Sequence, residues 1–93
     1  MDAITFRTTI RHWNPEKASG LAVADIPAEH VATIGGLKQQ RVHGSIGDAS
    51  FTSNVMPAGG GRLALSISKA MMKASGAEIG DSVEVTISRV GKD

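Results

Sequence analysis

Ninety-three residues, with ten Lys and Arg against nine Asp and Glu and a formal charge of +1, make one modest domain with no bulk electrostatic pull toward nucleic acid or an anionic membrane. Hydrophobic residues are 41% and aromatics 3%, so the core must rest on Ile, Val, Leu, Met and Ala, with Phe6, Phe51 and Trp13 as its large fillers. The absence of cysteine excludes disulfides and thiol chemistry and fits a reducing cytoplasm. The first residues do not read as a signal peptide, and no segment approaches the roughly 20 apolar residues of a membrane-spanning helix.

Ile4, Phe6, Thr8 and Ile10 alternate with Thr5, Arg7, Thr9 and Arg11, which predicts a strand over 3–13 with one apolar and one basic, polar face. His12-Trp13-Asn14-Pro15 ends it, and residues 14–19 form a loop. Leu21, Val23 and Ile26 mark a second strand interrupted near Asp25. Pro27 suits the start of a two-turn helix over 27–34, stopped by Gly35-Gly36.

Val42, Gly44 and Ile46 alternate with His43 and Ser45 in a third strand. Gly47-Asp48-Ala49 is a hairpin signal, and Phe51, Ser53 and Val55 continue as a fourth strand paired to the third. Pro57 to Gly61 is a glycine-rich connection to a fifth strand at Leu63, Leu65 and Ile67. Ser68 caps a helix over 69–75 that Gly76 closes. After the Gly80-Asp81 turn, Val83, Val85 and Ile87 form the last strand, and 91–93 are tail.

The order is β–β–α–β twice, with halves at about 3–47 and 50–90. A shift of 41 residues places Ile26 on Ile67, Gly35 on Gly76, Val42 on Val83 and Ile46 on Ile87 without a gap, the mark of an internal duplication. Neither half can bury its apolar face unaided. Two together can close a barrel, remove the open sheet edges and set a short helix over each end.

Gly59, Gly60, Gly61 and Arg62 are the candidate ligand-binding residues. Consecutive glycines let backbone N–H groups converge on an anion, and an arginine adds a bidentate donor for carboxylate or phosphate. The conformational reading stands beside it: the glycines supply positive φ to a strand connection and Arg62 is solvated or ion-paired. No Gly-Lys-Ser/Thr follows, so the loop is neither a P-loop nor a dinucleotide fingerprint. Arg7, Arg11 and Arg41 are the alternative, a basic face for nucleic acid.

His12, His30 and His43 are scattered and lack the spacing of a helical zinc pair, so no metal and no cofactor is expected. His43, Ser45 and Asp25 can be named as a nucleophilic trio, but no nucleophile elbow and no acid–base pair stands in the chain, and the expectation is a protein that is not an enzyme. Met71 and Met72 are adjacent on a helix, so one of them packs at a barrel mouth or an oligomer contact. With two halves in one chain, a monomer, or at most a weak homodimer, suffices. Any partner is a small anionic ligand ahead of nucleic acid, and an accessory role in protein interaction is the third reading.

Gly61-Arg62-Leu63-Ala64-Leu65-Ser66-Ile67-Ser68-Lys69, with Gly76, Gly80-Asp81, Val83 and Val85, resembles the unit of swapped-hairpin proteins of the AbrB type. The longer pattern resembles the small bacterial family catalogued as domain of unknown function 1905. It comprises Val42-His43-Gly44-Ser45-Ile46, Phe51, Met56-Pro57-Ala58-Gly59-Gly60-Gly61-Arg62, Lys69, Gly76 and Gly80-Asp81. The resemblance covers nearly the whole chain, and its most specific part is the Met-Pro-x-Gly-Gly-Gly-Arg stretch. It implies a mainly β fold, a single-chain double-split β-barrel of two tandem β–β–α–β units capped by two short helices, and no particular activity. The chain departs from the family pattern at Leu21-Ala22-Val23, where relatives often carry aromatics, and at Leu63, where they often carry His or an aromatic.

Overall fold

The computed structural model describes residues 3–13 and 22–90. The loop at 14–19, the strand marker Leu21 and the tail at 91–93 lie outside the described residues. Six strands close a barrel in the order β1-β2-β5-β4-β3-β6, every neighbouring pair antiparallel. They are β1 Ile4–His12, β2 Ala22–Ile26, β3 Gln40–Ile46, β4 Ala49–Gly59, β5 Arg62–Ile67 and β6 Ser82–Arg89.

Alternation aims each strand as the sequence predicts for β1 and β3 to β6. Ile4, Phe6 and Ile10, then Val42, Ile46, Val55, Leu63, Leu65, Ile67, Val85 and Ile87, meet in one buried cluster. β2 differs from expectation. It runs unbroken through Asp25, and Ala22, Ala24 and Ile26 join the core cluster. Val23, one of the residues that mark this strand in the sequence, stands on the outer side, yet it too is fully buried. The carboxylate of Asp25 does not interrupt the strand because it points outward and is bonded by Arg11.

β4 is longer than the predicted segment and includes Pro57. A register shift between Pro57 and Gly59 relieves the ladder there, so the missing N–H is tolerated. Its first part pairs with β3 and its second with β5, only Val55 meeting both. β1 divides its length in the same way, between β6 at 4–9 and β2 at 10–12.

The predicted helix at 27–34 is a 3-10 turn, Ala28–His30, running into a four-residue α1, Val31–Ile34, with Pro27 as its N-cap. Proline offers no side-chain acceptor, and no cap hydrogen bond is made. The second helix, α2, spans Lys69–Ser75 as predicted, with Ser68 accepting from the Met71 N–H at 3.1 Å. Ile34 of α1 closes one barrel end, while Met71 with Ala77 closes the other. Met72 also packs against the core, half-buried, so both methionines serve it. No helix among the described residues is long and apolar enough to cross a membrane.

The ladders have a register in common. Ala24 pairs with Leu65, which stands 41 positions later, at the centre of the β2–β5 ladder. Ser45 pairs with Thr86, again 41 positions later, within the β3–β6 ladder. A two-fold rotation about these pairs carries β2 onto β5 and β3 onto β6 and leaves the strand order unchanged. It carries β1 onto β4 with a shift of 45, placing Phe6, which faces Val85, on Phe51, which faces Gly44. It also equates two hydrogen bonds: Thr8 Oγ1 to the Asp25 carbonyl at 2.7 Å and Ser53 Oγ to the Ser66 carbonyl at 2.6 Å.

Candidate functional site

The glycine-rich segment is the tip of the β4–β5 hairpin. Gly59 pairs with Arg62, and Gly60-Gly61 make the two-residue turn between them. The three glycines have φ of +84°, +61° and +77°. A hairpin loop with positive φ at both central residues matches the right-handed twist of its strands, and glycine adopts it without steric cost. The surroundings are open, since a Cβ at any of the three would meet no atom within 4 Å. Backbone conformation is reason enough for the glycines, and the exposed guanidinium of Arg62 stands beside them at the tip.

Arg62 lies beside an ion pair the sequence did not reveal. Arg11 Nε and Nη2 donate to the two carboxylate oxygens of Asp25 at 2.7 and 2.9 Å, and Nη1 donates to the His12 carbonyl at 3.1 Å. The hydrogen bond from Arg11 holds the Asp25 carboxyl below its ordinary pKa. Partial burial opposes the shift, and the charges of Arg11 and Arg62 add to it. The same bond raises the Arg11 guanidinium. Arg11 is committed to Asp25, whereas no hydrogen bond or ion pair among the described residues holds Arg62. The signal for this pair was faint: two opposite charges on strands whose register the loop length alone does not reveal.

The structure does not bring Arg7, Arg11 and Arg41 together. Arg7 faces Glu84 across the β1–β6 ladder and reaches Ser82 Oγ at 3.4 Å. Arg41, on β3, lies beside Val90, whose N–H bonds its carbonyl. Glu84 and Val90 are six positions apart, roughly 20 Å along an extended chain. Two of the three arginines are balanced by an acid on the neighbouring strand.

His43 and Ser45 share the outer face of β3, as expected, but Asp25 sits on β2, which does not border β3. No trio forms. His30 packs its ring over Phe6, centroids 5.8 Å apart. His12 buries Nδ1 without a hydrogen-bond partner. Among the described residues no group of His, Cys, Asp or Glu is arranged to hold a metal.

A second feature had no motif to announce it: a groove between β4 and α2 over the half-buried Phe51. Its only trace in the sequence is Ala70 and Ala74, four apart on one helix face.

The molecule is therefore a helix-capped, closed six-stranded barrel with a cationic hairpin tip at one end and a neutral groove at the other. The family model described as Domain of unknown function (DUF1905) matches residues 6–87, from β1 to β6, and the chain belongs to that family. No curated protein matches the chain.

Proposed function

We propose that this protein is a small, non-catalytic binding module of the bacterial cytoplasm that takes an anionic small molecule or a carboxylate at the β4–β5 hairpin tip. The observation that carries the reading is Arg62. Its guanidinium is exposed and free of hydrogen bonds and ion pairs among the described residues, while the carboxylate that feels its charge, Asp25, is already satisfied by Arg11. A planar cation in that position offers two parallel donors to a carboxylate or phosphate. Gly59, Gly60 and Gly61 contribute by keeping the approach open, since no side chain stands between Arg62 and solvent.

The module works as a monomer, because the six ladders close the barrel within one chain. Its two halves descend from one AbrB-like unit by duplication. The 41-residue register and the paired Thr8 and Ser53 hydrogen bonds support that descent. A nucleic-acid regulator using Arg7, Arg11 and Arg41 gains no support from two arginines balanced by acids and a third set apart on β3.

Thermal shift with citrate and with inorganic phosphate tests the reading. Millimolar anion should raise the melting temperature of the wild type, and Arg62→Ala should abolish that rise while leaving the unliganded melting temperature unchanged within about 1 °C, as expected for an exposed side chain. An equal rise in wild type and variant would end the proposal.

A further inference from the structure

The groove between β4 and α2 has a volume of about 320 Å3. It lies at the far end of β5 from Arg62, since β5 starts at Arg62 and runs to Ile67 just before α2. Phe51 and Met71 line it together with three hydroxyl residues, Ser50, Thr52 and Ser68. No charged side chain among the described residues lines it.

The two-fold relation between the halves shows why the space exists. The equivalent position in the first half is closed: Phe6 is 7% exposed and the His30 ring lies over it. Shifted by 41, Glu29 and Thr33 of the first half fall on Ala70 and Ala74. Ala70 and Ala74, one helical turn apart, put only methyl groups beside Phe51, and its ring stays half-buried.

An independent feature adjoins the groove. Ser50 pairs with Ser45, Ser45 with Thr86, and Thr86 with Thr5, so four hydroxyl residues form one rung across β4, β3, β6 and β1. All four alternate with core-facing neighbours and so stand on the outer face. Thr5 and Thr86 are hydrogen-bonded to each other at 2.9 Å. At about 4.8 Å per strand the rung extends roughly 14 Å from the groove.

We propose that the groove and the rung bind a neutral saccharide. One sugar ring lays its apolar face on Phe51, its edge hydroxyls exchange hydrogen bonds with Ser50, Thr52 and Ser68, and further units follow the rung toward Thr5. The lining selects this class. With no charged group in the groove, an ionic ligand would be desolvated without compensation. A purely apolar ligand would strip water from the hydroxyls and return nothing. Hydroxyls both donate and accept, so they suit a ligand whose own groups do both. A volume near 300 Å3 is the lower end of small-molecule sites and suits one ring at a time.

The test is an amide NMR titration of the full chain with methyl β-D-glucopyranoside, methyl β-D-galactopyranoside and a neutral trisaccharide, maltotriose. Saturable shifts are expected at residues 50–52 and 68–74, with a Kd on the order of 1–10 mM for the best single ring. The trisaccharide is expected to bind about five-fold tighter and to add shifts at Ser45 and Thr86, because linked contacts share one association cost. Ala74→Leu and Ala70→Leu place side chains at exposed helix positions and fill the groove. Each should weaken binding by about ten-fold or more without altering the spectrum elsewhere. Arg62→Ala should leave the sugar response intact, which separates this site from the anion site. Absence of groove shifts with all three sugars at about 50 mM, or shifts that survive both leucine variants, would overturn the proposal.

Discussion

The two halves of this barrel keep one strand register and complete it with different parts. Their crossing ladders pair Ala24 with Leu65 and Ser45 with Thr86, each 41 positions apart, so the backbone is held to a two-fold plan. The capping elements are not held to it. Pro27 starts a 3-10 turn and a four-residue helix with no cap bond, while its counterpart Ser68 starts a seven-residue helix with one. The first half also separates its paired strands by more chain: Ile10 and Ala24 are fourteen positions apart, Val55 and Leu65 ten. Ladder hydrogen bonds and core packing tie the strands along their length, so a slip would turn a whole face outward. A helix end or hairpin tip is tied at one place only, and there the halves differ. The two proposed sites lie at those differing places: Arg62 at one tip, Ala70 and Ala74 beside one groove.

The sharpest way to break the comparison is at Gly44, whose counterpart in the second half is Val85. A Cβ at Gly44 would sit 1.8 Å from the Thr86 carbonyl oxygen, so even alanine forces β3 away from β6. Gly44→Ala should cost about 3 kcal/mol or more in urea denaturation, or prevent folding. A variant within about 1 kcal/mol of wild type would show that the strands have room there.

The paired phenylalanines come next. Phe6→Ala, at a ring 7% exposed and covered by His30, should cost roughly 3–5 kcal/mol. Phe51→Ala should cost about 2 kcal/mol, since the groove leaves that ring partly in solvent. Equal losses would mean that the groove is closed in solution.

The smallest effect belongs to the ion pair, which the second half lacks, its counterparts being Met56 and Ser66. The Asp25 side chain is 35% exposed, so Asp25→Asn should cost no more than about 1 kcal/mol at neutral pH. The folded-state pKa of Asp25 is lowered, so its contribution is present above the unfolded carboxylate value near 3.9 and disappears as pH falls through the folded value. The stability gap between wild type and Asp25→Asn should therefore be largest above about pH 5 and vanish in acid. A gap that persists at about pH 2 would assign the loss to packing.

Much of the fold was legible because its signals are local. The α2 boundaries follow from Ser68 as an acceptor and Gly76 in the left-handed region at φ +72°. The faces of β1, β3, β4, β5 and β6 follow from two-residue alternation. β2 misled because Ala22, Val23 and Ala24 are buried on both sides, and a strand without a wet face carries no alternation. β4 ran on through Pro57 because a register shift, invisible in the sequence, removed the need for its N–H. At the candidate site, the glycines announced a turn, but whether Arg62 or Arg11 kept a free guanidinium depended on where Asp25 fell across the β1–β2 ladder.

By itself, then, the sequence determined a mainly β chain of two β–β–α–β halves, the faces of five strands, and one helix with both its ends. These rest on periodicity and on caps that act within a few residues. Only the tertiary structure decided the closure order of the barrel, the commitment of Arg11 to Asp25, and the open groove over Phe51. Each of these depends on strands far apart in the chain meeting in a particular register, and register is set by all the ladders at once.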